Sequence, residues 1–353
     1  MTTNTVFVTG AAGFIGHHVV RLLREAGRPV RALIRPGEDI RNLDPLRGHG
    51  LELVEGDILD RVALHDRMSD CSTVYHLAAL YRTWVPDPKI IYDVNVTGTA
   101  NVLATAAALG VRRLVYTSSI AAIGVDPGGA PADETTAYNL WPHAFDYVRS
   151  KYLAHQVALA FTPLLNLVIV NPGMPLGPGD IAPTPTGRTL IDTLNGKIRV
   201  SFDGGLNLVD VEDVARGHLL AETHGRRGEA YLLTGHNLSI SAMVEQLRTV
   251  VGLRHGMLRI PAGLATAFGY LLEGWAERVS RREPLITPGT VAYTRQRLFY
   301  DNTKAREELG FTVRPLDETL RRAVEWFVTH GQIRADAATL SLRGRHPHDP
   351  PLP

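Results

Sequence analysis

Thr5-Val6-Phe7-Val8-Thr9-Gly10-Ala11-Ala12-Gly13-Phe14-Ile15-Gly16 is the stretch that decides the fold. Its first five residues are a short β-branched and aromatic run of strand character. Gly10, Gly13 and Gly16 follow and lead into a helical pattern over 14–25. Glycine lets the turn adopt unusual backbone angles and lets main chain approach a pyrophosphate with no Cβ in the way. The start of the helix, with Phe14 and Ile15 in its first turn, offers N–H groups and a partial positive charge to the anion. A glycine triplet alone is a weak signal; set between strand and helix it reads as a dinucleotide-binding turn.

The same texture continues outward. Strand-like runs at 5–9, 30–34, 51–55, 73–77, 113–117 and 165–170 alternate with helical segments such as 14–25 and 97–109. That order predicts an α/β fold: a Rossmann-type doubly wound parallel sheet with helices on both faces and ligands at the carboxyl ends of its strands. Residues 1–171 are expected to form this dinucleotide-binding domain. Pro172, Pro175, Pro178, Pro183 and Pro185 then mark a loop. A smaller C-terminal substrate lobe is expected over 172–333, with helices near 187–195 and 241–251 and with 206–235 partly returning to the large domain. Residues 262–276 are apolar around much of a helical circumference and are expected to be buried in the small lobe; an interfacial membrane contact is the alternative. The segment 334–353 mixes Arg, His and Pro and is expected to be disordered.

The chain has 353 residues, 44% hydrophobic and 21% charged, with a net charge of +1. That balance gives no field to attract nucleic acid or an anionic membrane. The one cysteine, Cys71, excludes an intrachain disulfide framework and suits a reducing compartment. No signal peptide and no membrane-spanning run is evident, so a cytoplasmic location is expected. His143 and His155 flank the Tyr147 region, but no cluster with metal-ligand spacing accompanies them, and His346 and His348 lie in the polar tail. No metal is expected.

The strand at 30–34 ends in Arg35, with Arg41 shortly after and no acid at the tip. An NAD site places a carboxylate there for the ribose 2′-hydroxyl, whereas a guanidinium suits a 2′-phosphate, so NADP(H) is favoured over NAD(H). Asp57, followed by Ile58, can accept from an adenine amino group or cap the next helix. Leu77, Ala78 and Ala79 end the fourth strand with residues small enough for a cofactor to pass.

Tyr147 and Lys151 stand four residues apart and share a helix face. A phenol with its ordinary pKa of about 10 is a poor base near neutrality, and a neighbouring ammonium favours the phenolate. Ser119 ends the fifth strand, where its hydroxyl can donate to a substrate oxygen that gains charge.

The runs Gly10–Gly16, Tyr147-Val148-Arg149-Ser150-Lys151 and Asn171-Pro172-Gly173 together resemble the extended short-chain dehydrogenase/reductases, the NAD-dependent epimerase/dehydratase family, over about residues 4–330. Residues 81–88, 183–188 and 206–211 are similar to the hopanoid-associated sugar epimerase group, which is itself similar to dihydroflavonol reductases. The resemblance implies Tyr147 as acid/base, Lys151 as its electrostatic partner and ribose ligand, and Ser119 as oxyanion donor. It also implies a cofactor contact at Pro172, a partly structural Asn95, and a homodimer through 95–109 and 146–161. The sequence departs from nucleotide-sugar epimerases at Arg35, where they carry an acid, and at Leu206, where they carry a diphosphate-gripping arginine.

Hydride transfer at a secondary alcohol or ketone is therefore expected. It becomes epimerisation if the ketone is retained and net reduction or oxidation if it is released. A non-catalytic NADP-sensing protein is the contrasting reading. Tyr81, Arg82, Trp84, Thr184 and Arg188 are expected to face a small-molecule substrate, sugar-like or carbonyl, although Trp84 could equally pack between lobes and Arg188 could be a surface charge.

Overall fold

Alternation within the first strand shows how the sheet is covered. The computed structural model describes residues 4–333 apart from His49, Arg254 and His255; the expected disordered tail lies outside the described residues. In β1 (Val6–Thr9), Val6 and Val8 enter one apolar cluster and Phe7 the other. Successive side chains of a strand point to opposite faces, so a strand buried on both sides is apolar throughout. The pattern repeats in β2 (Val30–Ile34), β4 (Thr73–His76), β5 (Arg113–Thr117) and β6 (Leu167–Pro172), while the edge strand β3 (Leu51–Glu55) is only half-buried and exposes Glu52 and Glu55. Beyond them come β7 (Met174–Leu176), β8 (Val200–Ser201), β9 (Gly205–Asp210), β10 (Ala230–Leu233), β11 (His236–Ser239) and β12 (Leu258–Arg259).

Seven strands form one parallel sheet in the order β10-β6-β5-β4-β1-β2-β3. The chain order reverses between β1 and β4, which places the ligand crevice above their carboxyl ends. This is the Rossmann architecture expected from the sequence. The seventh strand, β10, formed by Ala230-Tyr231-Leu232-Leu233, was not read from the sequence as a strand.

The helices flanking this sheet are α1 (Phe14–Glu25), α2 (Arg61–Met68), α3 (Lys89–Tyr92), α4 (Gly98–Ala108) and α5 (Asp146–Phe161). After them follow α6 (Pro185–Leu194), α7 (Val211–His224), α8 (Ile240–Val251), α9 (Ala262–Trp275), α10 (Pro288–Thr294), α11 (Thr303–Leu309) and α12 (Leu316–Thr329). One sheet face carries α1, α7 and α11 through Val19, Leu23, Val214 and Ala305; the other carries α2, α4 and α5 through Leu64, Leu103 and Ala154. Between α3 and α4, residues Asp93–Thr97 make a π-helical turn, so the segment from Lys89 to Ala108 is one helix with a widened turn in the middle.

The remainder packs around a second core that includes Leu190, Leu208, Leu247, Leu320 and Phe327. Its sheet has the order β11-β9-β7, with β9 and β11 antiparallel, and β8 pairs with β12. An ion-pair network joins it to the large sheet. Buried Asp210 meets Arg314 at 3.2 Å and Arg322 at 3.1 Å, and Glu212 meets Arg21 of α1 at 3.2 Å and Arg322 at 3.0 Å.

Residues 262–276 correct the sequence expectation. They are helical, but only Ala265, Gly269 and Ala276 are buried; Leu264, Phe268, Tyr270, Leu271 and Trp275 are exposed. A helix apolar all round buries only the face that a neighbour reaches, here the side packed on α10 near Pro288.

Gly16 is the tightest point of the first turn: a Cβ there would lie 2.0 Å from the Gly10 carbonyl oxygen. Backbone cannot yield as a side chain can. The Gly16→Ala substitution is expected to lower the unfolding free energy by about 2–3 kcal/mol in urea denaturation. A loss below about 0.5 kcal/mol would mean that the turn relaxes freely.

Candidate active site

Three elements deliver the reactive side chains. Ser119 leaves the end of β5, and its hydroxyl accepts from the Ala121 N–H at 3.1 Å. Asn171, at the end of β6, holds this loop by donating its side-chain amide to the Ser119 carbonyl at 2.8 Å. Tyr147 and Lys151 lie one turn apart near the start of α5, and the Tyr147 phenol shares a hydrogen bond with the Ser119 hydroxyl. The Lys151 ammonium donates to the Thr117 carbonyl at 2.9 Å and lies 5.4 Å from the Tyr116 ring centre. All three side chains line one cleft of about 820 Å³.

Asn95, in the π-helical turn, fastens the rim. It accepts from the Leu80 N–H at 2.7 Å, donates to the Leu80 carbonyl at 3.2 Å and donates to the Ser150 hydroxyl at 2.9 Å. Tyr81 follows Leu80 and Lys151 follows Ser150, so one amide sets the spacing between rim and catalytic helix. The Tyr81 ring lies 4.5 Å from the Tyr147 ring, and its hydroxyl reaches Thr186 of α6.

Burial governs the site's ionisation. It raises the Tyr147 pKa, with Tyr81 adding to the rise and the Ser119 hydrogen bond opposing it. Burial also lowers the Lys151 pKa, from the ordinary 10.5 to about 7. In this geometry burial outweighs any lowering of the phenol's pKa by the ammonium, whose own charge burial disfavours. A protonated Tyr147 is suited to giving a proton to an oxygen rather than taking one.

The cofactor half of the cleft contains most of the residues the sequence singled out. Gly10, Gly13, Phe14, Ile15 and Gly16 line it, as do Arg35, Asp57, Ile58, Leu77, Ala78, Ala79, Tyr147, Lys151 and Pro172. A Cβ at Gly10, whose φ is +69°, would lie 2.6 Å from the Ala78 nitrogen, so the two strand ends make a groove that only backbone can line. Gly13, the N-cap of α1, supplies no side-chain cap, which leaves the first-turn N–H groups for a ligand. Asp60, not Asp57, caps α2, by accepting from Val62 and Ala63. These features fit a dinucleotide.

Two details differ from expectation. Arg41 is not brought to the cleft; its exposed guanidinium is bound to Asp39, 2.6 Å away. Glu38, absent from the sequence reading, does line it, accepting from the Arg35 N–H at 2.9 Å and lying 3.6 Å from the Arg35 guanidinium. The signal was present: Arg35-Pro36-Gly37-Glu38 is a turn sequence, closed by a Glu38 N–H to Arg35 carbonyl bond of 3.0 Å with Gly37 at φ +73°. The acid four residues past the strand is thereby folded back to its tip.

On the substrate side, Tyr81 and Thr184 line the cleft, whereas Trp84, Arg82 and Arg188 do not. Trp84 is half-buried beside the rim, Arg188 is an exposed charge on α6, and Arg82 pairs with Glu283 at 3.7 Å. Thr184 also caps α6, accepting from Gly187 at 3.2 Å and donating to Asp180 at 2.9 Å. Leu206 faces the cleft. Tyr293 of α10, which sequence reasoning missed, lines it with a buried hydroxyl that has no partner among the described residues. Only the tertiary fold brings α10 there. Further out the lining is apolar, with Leu208, Met243, Val244, Leu247, Met257 and Phe268, while Lys197, paired with Asp192 at 2.9 Å, and the exposed Arg199 stand at the edge. Among the described residues no group of three or more His, Cys, Asp or Glu is placed to hold a metal.

The model of the NAD dependent epimerase/dehydratase family matches residues 6–234, about two thirds of the chain. The chain belongs to this family. It is an enzyme of the extended short-chain dehydrogenase/reductase type, an NAD(P)-dependent oxidoreductase/epimerase. It is 39% identical over 333 residues, 93% of this chain and 96% of the relative, to a protein of Synechocystis sp. whose name refers it to dihydroflavonol 4-reductase. It is 34% identical over 331 residues, 93% of this chain and 100% of the relative, to sterol demethylase protein B of Methylococcus capsulatus. A crystal structure of a nucleoside-diphosphate-sugar epimerase from Pseudomonas aeruginosa superposes with a TM-score of 0.77 at 30% identity, covering 94% of this chain and 99% of that one.

Lys151 carries charge below about pH 7 and is neutral above it. Dinucleotide affinity that relies on the ammonium is therefore expected to fall by about tenfold between about pH 6 and pH 9. Isothermal titration of the parent and of a Lys151→Met variant checks this: the variant's affinity should be weaker and independent of pH. A flat profile in the parent would contradict the expectation.

Proposed function

We propose that this enzyme uses NADP(H) to interconvert a ketone and a secondary alcohol on a substrate with a bulky apolar body. The observation that carries the reading is the convergence of Ser119, Tyr147 and Lys151 at the junction between the dinucleotide groove and an apolar arm of the same cleft. When bound, the reduced nicotinamide supplies hydride to the carbonyl carbon. Tyr147, protonated by virtue of its burial, donates its phenolic proton to the oxygen that gains charge. Ser119 donates a hydrogen bond to the same oxygen and fixes its position. Lys151, once released from the Thr117 carbonyl, donates to the ribose and holds the ring against Tyr147. The unpartnered Tyr293 hydroxyl is positioned to orient a polar group of the substrate.

Net reduction is favoured over nucleotide-sugar epimerisation by the lining itself. Leu206, Met243, Leu247 and Met257 suit hydrocarbon rather than a nucleotide, and of the two cations at the edge of this lining, Lys197 and Arg199, Lys197 is already paired with Asp192. The relative named as a sterol demethylase component is consistent with such a body. Preference for NADP(H) rests on Arg35, whose side chain is 65% exposed in the cleft lining and whose 3.6 Å pair with Glu38 a 2′-phosphate would have to displace. A homodimer through 95–109 and 146–161 and a cytoplasmic location complete the reading.

The test is consumption of NADPH with a panel of ketones ranging from small sugars to polycyclic and polyprenyl compounds. Stoichiometric oxidation with bulky apolar ketones is expected, falling at least about 100-fold in Tyr147→Phe. Isomerisation of a sugar nucleotide with no net cofactor change would replace the reading with epimerisation. A Tyr147→Phe variant as active as the parent would point to a sensing role instead.

Arg35→Glu is expected to weaken NADPH binding by about 10- to 100-fold while changing NADH binding by less than about threefold. Equal losses for both dinucleotides would assign the 2′-phosphate to another group.

A further inference from the structure

Leu264, Phe268, Leu271 and Trp275 of α9 follow one another at four, three and four residues and so form a single stripe along the helix. They are between 54% and 72% exposed, and Tyr270, Val279 and Leu285 beside them are exposed as well. Four large apolar side chains on one helix face, with three more exposed in the same segment, exceed what a soluble surface ordinarily shows in one place. The opposite side of the helix, Ala265 and Gly269, packs on the protein.

We infer that this face of α9 is a membrane-docking surface that seats on an anionic bilayer. Two features select a bilayer over another protein. First, Phe268 and Leu285 belong both to the exposed patch and to the lining of the active-site cleft, so the patch adjoins the cleft's apolar lining. A protein seated there would cover that lining, whereas acyl chains leave it open to molecules dissolved among them. Second, Arg278, Arg281 and Arg282 are exposed at the end of the stripe, and among the described residues no carboxylate lies within ion-pairing distance of their guanidinium groups. The acids of the segment are turned elsewhere: Glu283 accepts from the Thr83 N–H at 2.9 Å and pairs with Arg82, and Glu273 and Glu277 fall off the stripe, Glu273 toward Asp146. An apolar stripe ending in free arginines, with a tryptophan and a tyrosine at its margin, matches an interface between headgroups and acyl chains. Docking of this kind does not depend on which reaction the site performs.

Flotation of the full chain with vesicles of phosphatidylcholine mixed with phosphatidylglycerol tests the inference. The parent should float with them, and Leu271→Ser/Trp275→Ser should float about tenfold less or worse. Arg281→Glu/Arg282→Glu should float about fivefold less, and the parent should bind pure phosphatidylcholine vesicles more weakly. None of these residues lines the cleft, so dinucleotide binding is expected to be unchanged and serves as the control for folding. As a second measurement that needs no polar substitution, vesicles should shift the parent's tryptophan emission to the blue, and Trp275→Phe should lose that shift while still floating. Failure of the parent to float overturns the inference. So does equal flotation of the parent and both double variants, or a parent dimer that Leu271→Ser/Trp275→Ser dissociates without any vesicle binding, which would assign the face to a second copy of the chain.

Discussion

Main chain at the end of β1 must pass main chain at the end of β4 with nothing between them. Gly10 meets Ala78 and Gly16 meets the Gly10 carbonyl at distances that no side chain survives. That contact brings the two central strand ends together where the strand order reverses, and it aims the uncapped start of α1 into the crevice. The neighbouring strand ends then inherit their positions: β2 brings Arg35, β5 brings Ser119 and β6 brings Asn171, which holds Ser119 in turn. The chemistry of the site is thus a consequence of how closely two backbones can run.

Catalytic polarity comes from burial more than from charge. Tyr147 is deep enough to stay protonated, and Lys151 deep enough to lose its proton near neutrality. For both groups burial is the largest influence, while the ammonium keeps a hydrogen bond to the Thr117 carbonyl.

What was legible in the sequence follows a physical divide. β2, β3, β5 and α1 coincide with their predicted bounds because their patterns answer to local sterics and to a core that buries both faces of the sheet. The glycine turn and the Tyr147/Lys151 pair are local too. Glu38 was within reach, since Pro36 and Gly37 announce the turn that folds it back. Tyr293 was not, because its place depends on α10 crossing from the other lobe. Trp84 and Arg188 lie in segments that border the cleft without lining it, and a sequence does not state which side chains of such a segment turn inward. The exposure of α9 was hidden because an apolar composition states how much surface wants burial and says nothing about whether a neighbour exists.

The widened turn at Asp93–Thr97 has a consequence for how such an enzyme can change. A single additional residue in a helix advances everything on one side of it by about 100° relative to the other. Here that offset aims Asn95 at both Leu80 and Ser150. The rim segment and the sheet-bound part of the helix are consequently phased apart by one residue, like two gears on a split shaft. A residue gained or lost at this position can be taken up within the turn itself, so the rim can vary while the seven-stranded sheet stays undisturbed.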